Sequence, residues 1–184
     1  EVLAANDEKL STVALRPRLI WGPEDTNLVP QLVARASSGE LRFIGDGSNL
    51  VDTVFIDNAV DAHMLAADRL EPGSACAGRA YFITNGEPRP IREIINGILS
   101  AAGVPPVEHS VPYGAAIVAG ALFESIDRIF PSEGGPRMTR FIARNFAATS
   151  WFDISAARRD LGYEPRVSID EGLSRLKRWF DERN

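Results

Sequence analysis

The sequence predicts an α/β fold built on parallel strands, and three observations carry that prediction. Residues 12–15 (Thr-Val-Ala-Leu) run apolar and β-branched without a helical period, and a proline-marked bend follows through Arg16-Pro17 and Trp21-Gly22-Pro23. Residues 80–84 form a second apolar, β-prone run. Around them lie segments with apolar residues at helical spacing, bounded by capping residues or glycine. Proline has no N–H and restricts the residue before it, so Arg16-Pro17 is expected to interrupt the first strand's ladder. Open α/β sheets place ligands at such strand ends.

The remaining elements follow in order. Glu24 to Asn27 supply capping chemistry for a helix over 28–38, where Leu28, Leu32 and Ala36 recur at helical spacing and Gly39 stops the run. Residues 41–44 read as a short strand, 45–48 (Gly-Asp-Gly-Ser) as a turn and 51–56 as another short strand. Asp57 or Asn58 is expected to cap a helix over 59–69 that buries Val60, Met64 and Ala67. A helix over 90–102 carries proline at its first turn and Gly103 at its end. Residues 107–111 read as a strand, and 113–130 is rich in Ala, Ile, Val and Leu. Residues 132–136 are linker-like, and 138–146 reads as a helix. A short helix from 153–155 closes at Gly162; Ser168 and Glu171 have capping-box spacing before a last helix that buries Leu173, Leu176 and Phe180.

Composition narrows the function. The 184 residues are 45% apolar and 24% charged, an ordinary globular balance, and a body of this size buries roughly 70% of its unfolded surface. The net charge of −5 gives no footprint for nucleic acid. Of the 20 basic residues only Lys9 and Lys177 are lysine, and acidic residues are interleaved with the arginines, as on solvated helix faces. Cys76 is the single cysteine, so no disulfide framework or thiolate metal set is expected, and a reducing, cytoplasmic location fits. His63 and His109 lack partners at metal-ligand spacing, and His63 reads as a packed or capping residue.

Four stretches carry a family resemblance: LRPRLIWGP at 15–23, FIGDGSNLVDTVFIDNAVDAHMLAA at 43–67, AYFITNGEP at 80–88 and FDISAARRDLGYEPRVSIDEGLSRLKRWF at 152–180. In this order they resemble the extended short-chain dehydrogenases, part of the epimerase/dehydratase superfamily, and most closely the 3β-hydroxysteroid dehydrogenase branch. The family's two signatures are absent. No Gly-rich dinucleotide fingerprint occurs, and the glycines at 45 and 47 lie between two candidate strands. Tyr81, Tyr113 and Tyr163 are followed four residues on by Asn85, Ile117 and Val167, never by lysine. Residues 1–6 (EVLAAN) resemble the tail of the helix that carries the family's catalytic Tyr and Lys.

The resemblance therefore implies the C-terminal half of such an enzyme over residues 1–184. That half comprises the C-terminal part of a Rossmann-like doubly wound parallel sheet plus a small mixed α/β substrate-binding subdomain, with NAD or NADP held mainly by the absent half. No catalytic residue is expected in this chain. Pro17, Leu19 and Ile20 are expected beside the nicotinamide, and Trp21, Asn27, Leu28, Phe43, Val51 and Tyr113 on the substrate side. Nucleotide-sugar relatives carry Arg-Asp where this chain has Val51-Asp52. Losing that guanidinium removes a bidentate phosphate contact and suits a hydrophobic, sterol-like substrate. The expected function is oxidation of a 3β-hydroxysteroid or similar secondary alcohol. The alternatives are a nucleotide-sugar epimerase or dehydratase, or a non-catalytic binding module. Glu124 and Asp127 interrupt the apolar 113–130 run and argue against tight membrane association. Self-association through an open strand edge is expected.

Overall fold

The computed structural model describes residues 1–129, 144 and 147–183. In chain order the elements are a 3₁₀ turn (Val2–Ala5), β1 (Val13–Pro17), β2 (Ile20–Trp21), α1 (Leu28–Ser37), β3 (Phe43–Ile44), β4 (Leu50–Val51), β5 (Val54–Phe55), α2 (Ile56–Arg69), β6 (Arg79–Ile83), β7 (Arg89–Pro90), α3 (Ile91–Ala101), β8 (Ser110–Val111), α4 (Tyr113–Ile129), α5 (Ser155–Leu161) and α6 (Ile169–Asp181). They form two compact units, one from Glu1–Gln31, Asp52–Pro88 and Trp151–Asn184, the other from Leu32–Val51 and Arg89–Ser150. The expected linker at 132–136 and, apart from Arg144, the expected helix at 138–146 lie outside the described residues.

The first unit is built on β1 and β6, which pair in parallel from Val13↔Arg79 to Pro17↔Ile83. The strand runs through Arg16-Pro17 instead of stopping before them. Thr12 O accepts from Gly78 N at 2.7 Å and Arg18 N donates to Ile83 O at 3.1 Å, so alternate residues from Thr12 to Arg18 address β6. The missing N–H of Pro17 falls on the opposite edge and costs no bond in this pair.

One face of this sheet carries Tyr81 and Ile83 into a core with Ala59, Ala62 and Ala66 of α2 and Ala157 and Leu161 of α5. The expected α2 stripe is corrected. Val60 and Met64 are 52% and 58% exposed and Ala67 is exposed with them, whereas Ala59, Ala62 and Ala66 face inward. Small side chains let a helix approach a sheet closely, whereas a search for bulky apolar residues selects the outer face. The helix also begins earlier, at Ile56, with Phe55 at the N-cap and no side-chain cap. The single strand expected over 51–56 is two, since β4 pairs antiparallel with β7 and β5 pairs in parallel with β2. Gly162, at φ 62°, ends α5. Ser168 accepts from Glu171 N at 3.2 Å and starts α6, whose buried residues are Ile169, Gly172 and Leu176.

The second unit pairs β3 with β8 in parallel and β4 with β7 antiparallel. Ile91, Ile94, Ile95, Ile98 and Leu99 form the buried face of α3, and Gly103 follows it at φ 71°. The Arg92 guanidinium lies 4.4 Å over the Phe43 ring, and its Nε donates to Asp46 O at 2.8 Å.

Candidate functional site

A hollow of about 580 Å³ opens at the carboxyl end of β1. The chain builds it by leaving the sheet abruptly. Leu19 takes φ 38° and Glu24 φ 62°, left-handed values that cost a non-glycine residue roughly 1–3 kcal/mol and persist only where the surroundings impose them. Leu19 O accepts from Val54 N at 3.3 Å, and β2 then pairs with β5. Gly22 is required sterically, because a Cβ there would lie 2.5 Å from Ile56 Cγ2. Asp25 finishes the turn by capping α1, accepting from the amides of Asn27 (2.7 Å), Leu28 (3.1 Å) and Val29 (2.9 Å).

Pro17, Leu19 and Ile20 all line this hollow, together with residues 21–28 and Ile56. Pro17, Leu19 and Ile20 present apolar surface, and the nearby Asp25 carboxylate is occupied by the helix cap, so these three residues suit one face of an aromatic, hydride-exchanging ring. Asn27 and Leu28 sit on the same rim. Trp21 borders the hollow but is fully enclosed, with its indole N–H donating to Thr53 Oγ1 at 3.0 Å and its ring edge-on to Phe55 at 5.3 Å. It supports the hollow from within and offers it no exposed surface.

The other three expected residues belong to the second unit. Phe43 and Val51 are each 4% exposed. Tyr113 is 48% exposed and borders a separate hollow of about 510 Å³ with Ile44, Asp46 and Asn49.

Two buried polar features escaped the sequence reading. Asn58 and Asn85 form an amide knot, and Asp52 is 1% exposed. Its Oδ2 accepts from Phe152 N at 2.7 Å. Burial pushes the Asp52 carboxyl above its ordinary value, opposed by the Phe152 amide, the Thr84 hydroxyl and the Arg18 charge. The only advance signal was an acid inside an apolar strand.

Neither core tyrosine is poised for acid–base work. Burial, then the neighbouring Asp160, pushes the Tyr81 phenol up to about 12, and its hydroxyl donates to Asp160 at 2.9 Å. Burial raises Tyr163 as well, and its hydroxyl donates to Thr84 O at 2.9 Å. A general acid or base working near neutrality needs its pKa moved the other way. Among the described residues no cluster of His, Cys, Asp and Glu could hold a metal, and no helix is long and apolar enough to cross a membrane.

Parallel strands packed against helices, with a hollow at a strand's carboxyl end, define an α/β protein of the Rossmann-like class. A sequence profile of the 3-beta hydroxysteroid dehydrogenase/isomerase family matches residues 1–112, and the chain belongs to that family. It is 54% identical over 176 residues to a 2-alkyl-3-oxoalkanoate reductase of Stenotrophomonas maltophilia (strain K279a), a match covering 96% of this chain and 53% of the relative. It is 34% identical over 184 residues to the decarboxylating sterol-4-alpha-carboxylate 3-dehydrogenase of Mus musculus, covering 97% of this chain and 51% of that one. Among solved structures, an epimerase from Methanothermobacter thermautotrophicus aligns at a TM-score of 0.61 with 25% identity, covering 95% of this chain and 44% of that one. The chain spans about half the length of the curated relatives it matches.

Proposed function

We propose that this chain is the C-terminal, substrate-binding half of an NAD(P)-dependent oxidoreductase acting on an α-branched 3-hydroxy or 3-oxo acid. The observation that carries this reading is what two relatives' names share. A sterol-4-carboxylate oxidised at carbon 3 and a 2-alkyl-3-oxoalkanoate each place a carboxylate on a branched carbon beside the reacting one. A hydrophobic secondary alcohol, sterol-like or long-chain, is thereby narrowed to one with a carboxylate next door.

In this reading Pro17, Leu19 and Ile20 hold one face of the nicotinamide and exclude water, while Asn27 and Leu28 border the substrate side of the hollow. The bound cofactor supplies hydride exchange with the carbinol carbon. The acid–base pair belongs to the other half of the enzyme, consistent with two core tyrosines whose pKa values are raised. Val51, where nucleotide-sugar enzymes carry arginine, argues against a diphosphate in the substrate. Self-association of the isolated chain is part of the same proposal. Among the described residues β1 pairs only with β6, and an open strand edge recruits another chain.

The test is a substrate panel on the complete enzyme with NAD(H) and NADP(H): a 2-alkyl-3-oxoalkanoate, a sterol-4-carboxylate, a 3β-hydroxysteroid without the carboxylate, and a UDP-sugar. Turnover of at least one carboxylate-bearing substrate well above the plain steroid supports the reading. Preference for the plain steroid or for the UDP-sugar overturns it.

A further inference from the structure

Leu19 lines the hollow in a backbone conformation that its side chain disfavours, at φ 38°. Something must hold it there, and a closed circuit of contacts within the first unit does so. Arg18, immediately before it, bonds through its amide to Ile83 O at 3.1 Å and lays its guanidinium 5.1 Å over the Phe152 ring. That ring stacks on Phe82 at 4.1 Å. The Phe152 amide in turn donates to Asp52 Oδ2 at 2.7 Å. Two residues beyond Asp52, Val54 N donates to Leu19 O at 3.3 Å. The circuit therefore runs from Asp52 through Phe152 and Arg18 to Leu19 and returns through Val54.

We infer that Asp52 is a positioning residue, which acts through Phe152 and Arg18 to hold Leu19 against the nicotinamide. The inference rests on the proposed function, since it needs a ring to be positioned against. A buried carboxylate is a costly choice for packing alone, and among the described residues Asp52 Oδ1 has no hydrogen-bond partner. Arg18, on the bend, is the cation whose charge favours the ionised Asp52. The groups facing it are that guanidinium from the bend, the Thr84 hydroxyl from the end of β6 and the Phe152 amide. An uncharged residue would keep the space filled and lose the pull on Arg18.

The test uses the complete enzyme with two substitutions, Asp52→Asn and Leu19→Gly. Asp52→Asn keeps the shape and removes the charge. Leu19→Gly keeps the fold, because glycine adopts φ 38° without strain, and frees the bend. Both are expected to lower kcat by about tenfold or more while the substrate KM moves by less than about twofold. The cofactor dissociation constant, read by fluorescence quenching, should weaken by roughly threefold or more in both. The Val54 amide should exchange with solvent faster in Asp52→Asn than in the parent enzyme.

Normal kcat and normal cofactor affinity in Leu19→Gly would overturn the inference, and that variant decides the matter if Asp52→Asn fails to fold. An unchanged Val54 exchange rate in a folded Asp52→Asn would overturn it too. If the parent enzyme turns over no carboxylate-bearing substrate, the proposed function fails, and the amide exchange and cofactor affinity still judge the clamp separately.

Discussion

The Asn58 amide donates to Asn85 Oδ1 at 2.8 Å, with both residues buried. Around this bond Asn58 Oδ1 accepts from the amides of Arg166 (2.9 Å) and Val167 (3.0 Å), and Asn85 Oδ1 accepts from Phe55 N at 3.0 Å. The knot joins the start of α2, the end of β6 and the segment leading into α6. Asn58→Ala would strand one buried and one part-buried backbone donor, and a loss of about 1–3 kcal/mol in urea-unfolding stability is expected. A loss below about 0.5 kcal/mol would show that water replaces the amide without cost.

Gly172 gives a second measure of how tightly the first unit is packed. A Cβ at this position would lie 2.8 Å from Phe55 Cδ2 and 2.9 Å from Trp21 Cη2. Gly172→Ala should therefore destabilise by about 1–3 kcal/mol despite improving helix propensity. Gly114, in the first turn of α4 and with nothing within 4 Å of its would-be Cβ, is the control, and Gly114→Ala should leave stability unchanged or raise it by up to about 0.5 kcal/mol. Equal effects of the two substitutions in thermal melts would contradict this packing.

The pH dependence of stability should carry the mark of Asp52. Burial raises its folded pKa above the ordinary 3.8, so the folded state binds this proton more tightly than the unfolded chain. Its contribution favours folding at low pH and is lost as pH rises from about 3.8 through the folded value. Asp160 has the opposite sign. Hydrogen bonding to Arg159 holds its carboxyl low, so its contribution is present above the ordinary range and is lost as pH falls through its depressed value. Urea melts across that range should show Asp52→Asn losing less stability than the parent as pH rises. Parallel curves would rule out a raised Asp52 pKa.

Much of this architecture was legible locally, and what was missed depends on distant partners. The strand at 12–15, the second at 80–84, a helix cap within 24–27 and the Gly162 stop all rest on neighbours within a few residues, and the structure contains each, with Asp25 as the cap. Side-chain bulk points to the wrong face of α2, while Ala59, Ala62 and Ala66 are the residues small enough to meet the sheet. Trp21 read as a ligand wall because its partners Thr53 and Phe55 lie more than 30 residues away in sequence. Asp57 and Asn58 both have cap chemistry in the sequence, yet the hydrogen bonds of Asn58 span 27 to 109 positions. Residues 17, 19 and 20 were placed by family resemblance, and the structure brings them to one hollow. Phe43, Val51 and Tyr113, placed with them on the substrate side, lie in the second unit.

Val51 offers a test of substrate class. It is 4% exposed and stands opposite Arg89 across the β4–β7 pair. Val51→Arg would set two guanidinium groups face to face at a buried position, an unfavourable pairing on both counts. In the complete enzyme we expect the KM of the hydrophobic substrate to rise about tenfold or more, about 1.4 kcal/mol, with cofactor affinity little changed. An unchanged KM would remove Val51 from the substrate wall, and appreciable UDP-sugar binding by the unsubstituted enzyme would place the substrate in the nucleotide-sugar class.

The central claim is that this chain supplies substrate walls and one face of a cofactor site but no acid–base chemistry. The most direct measurement follows NAD(P)H absorbance with a 2-alkyl-3-oxoalkanoate or a sterol-4-carboxylate, comparing the 184-residue chain with the complete enzyme. The account predicts turnover by the complete enzyme and none by the chain alone beyond a no-protein control. Clear turnover by the isolated chain would contradict it.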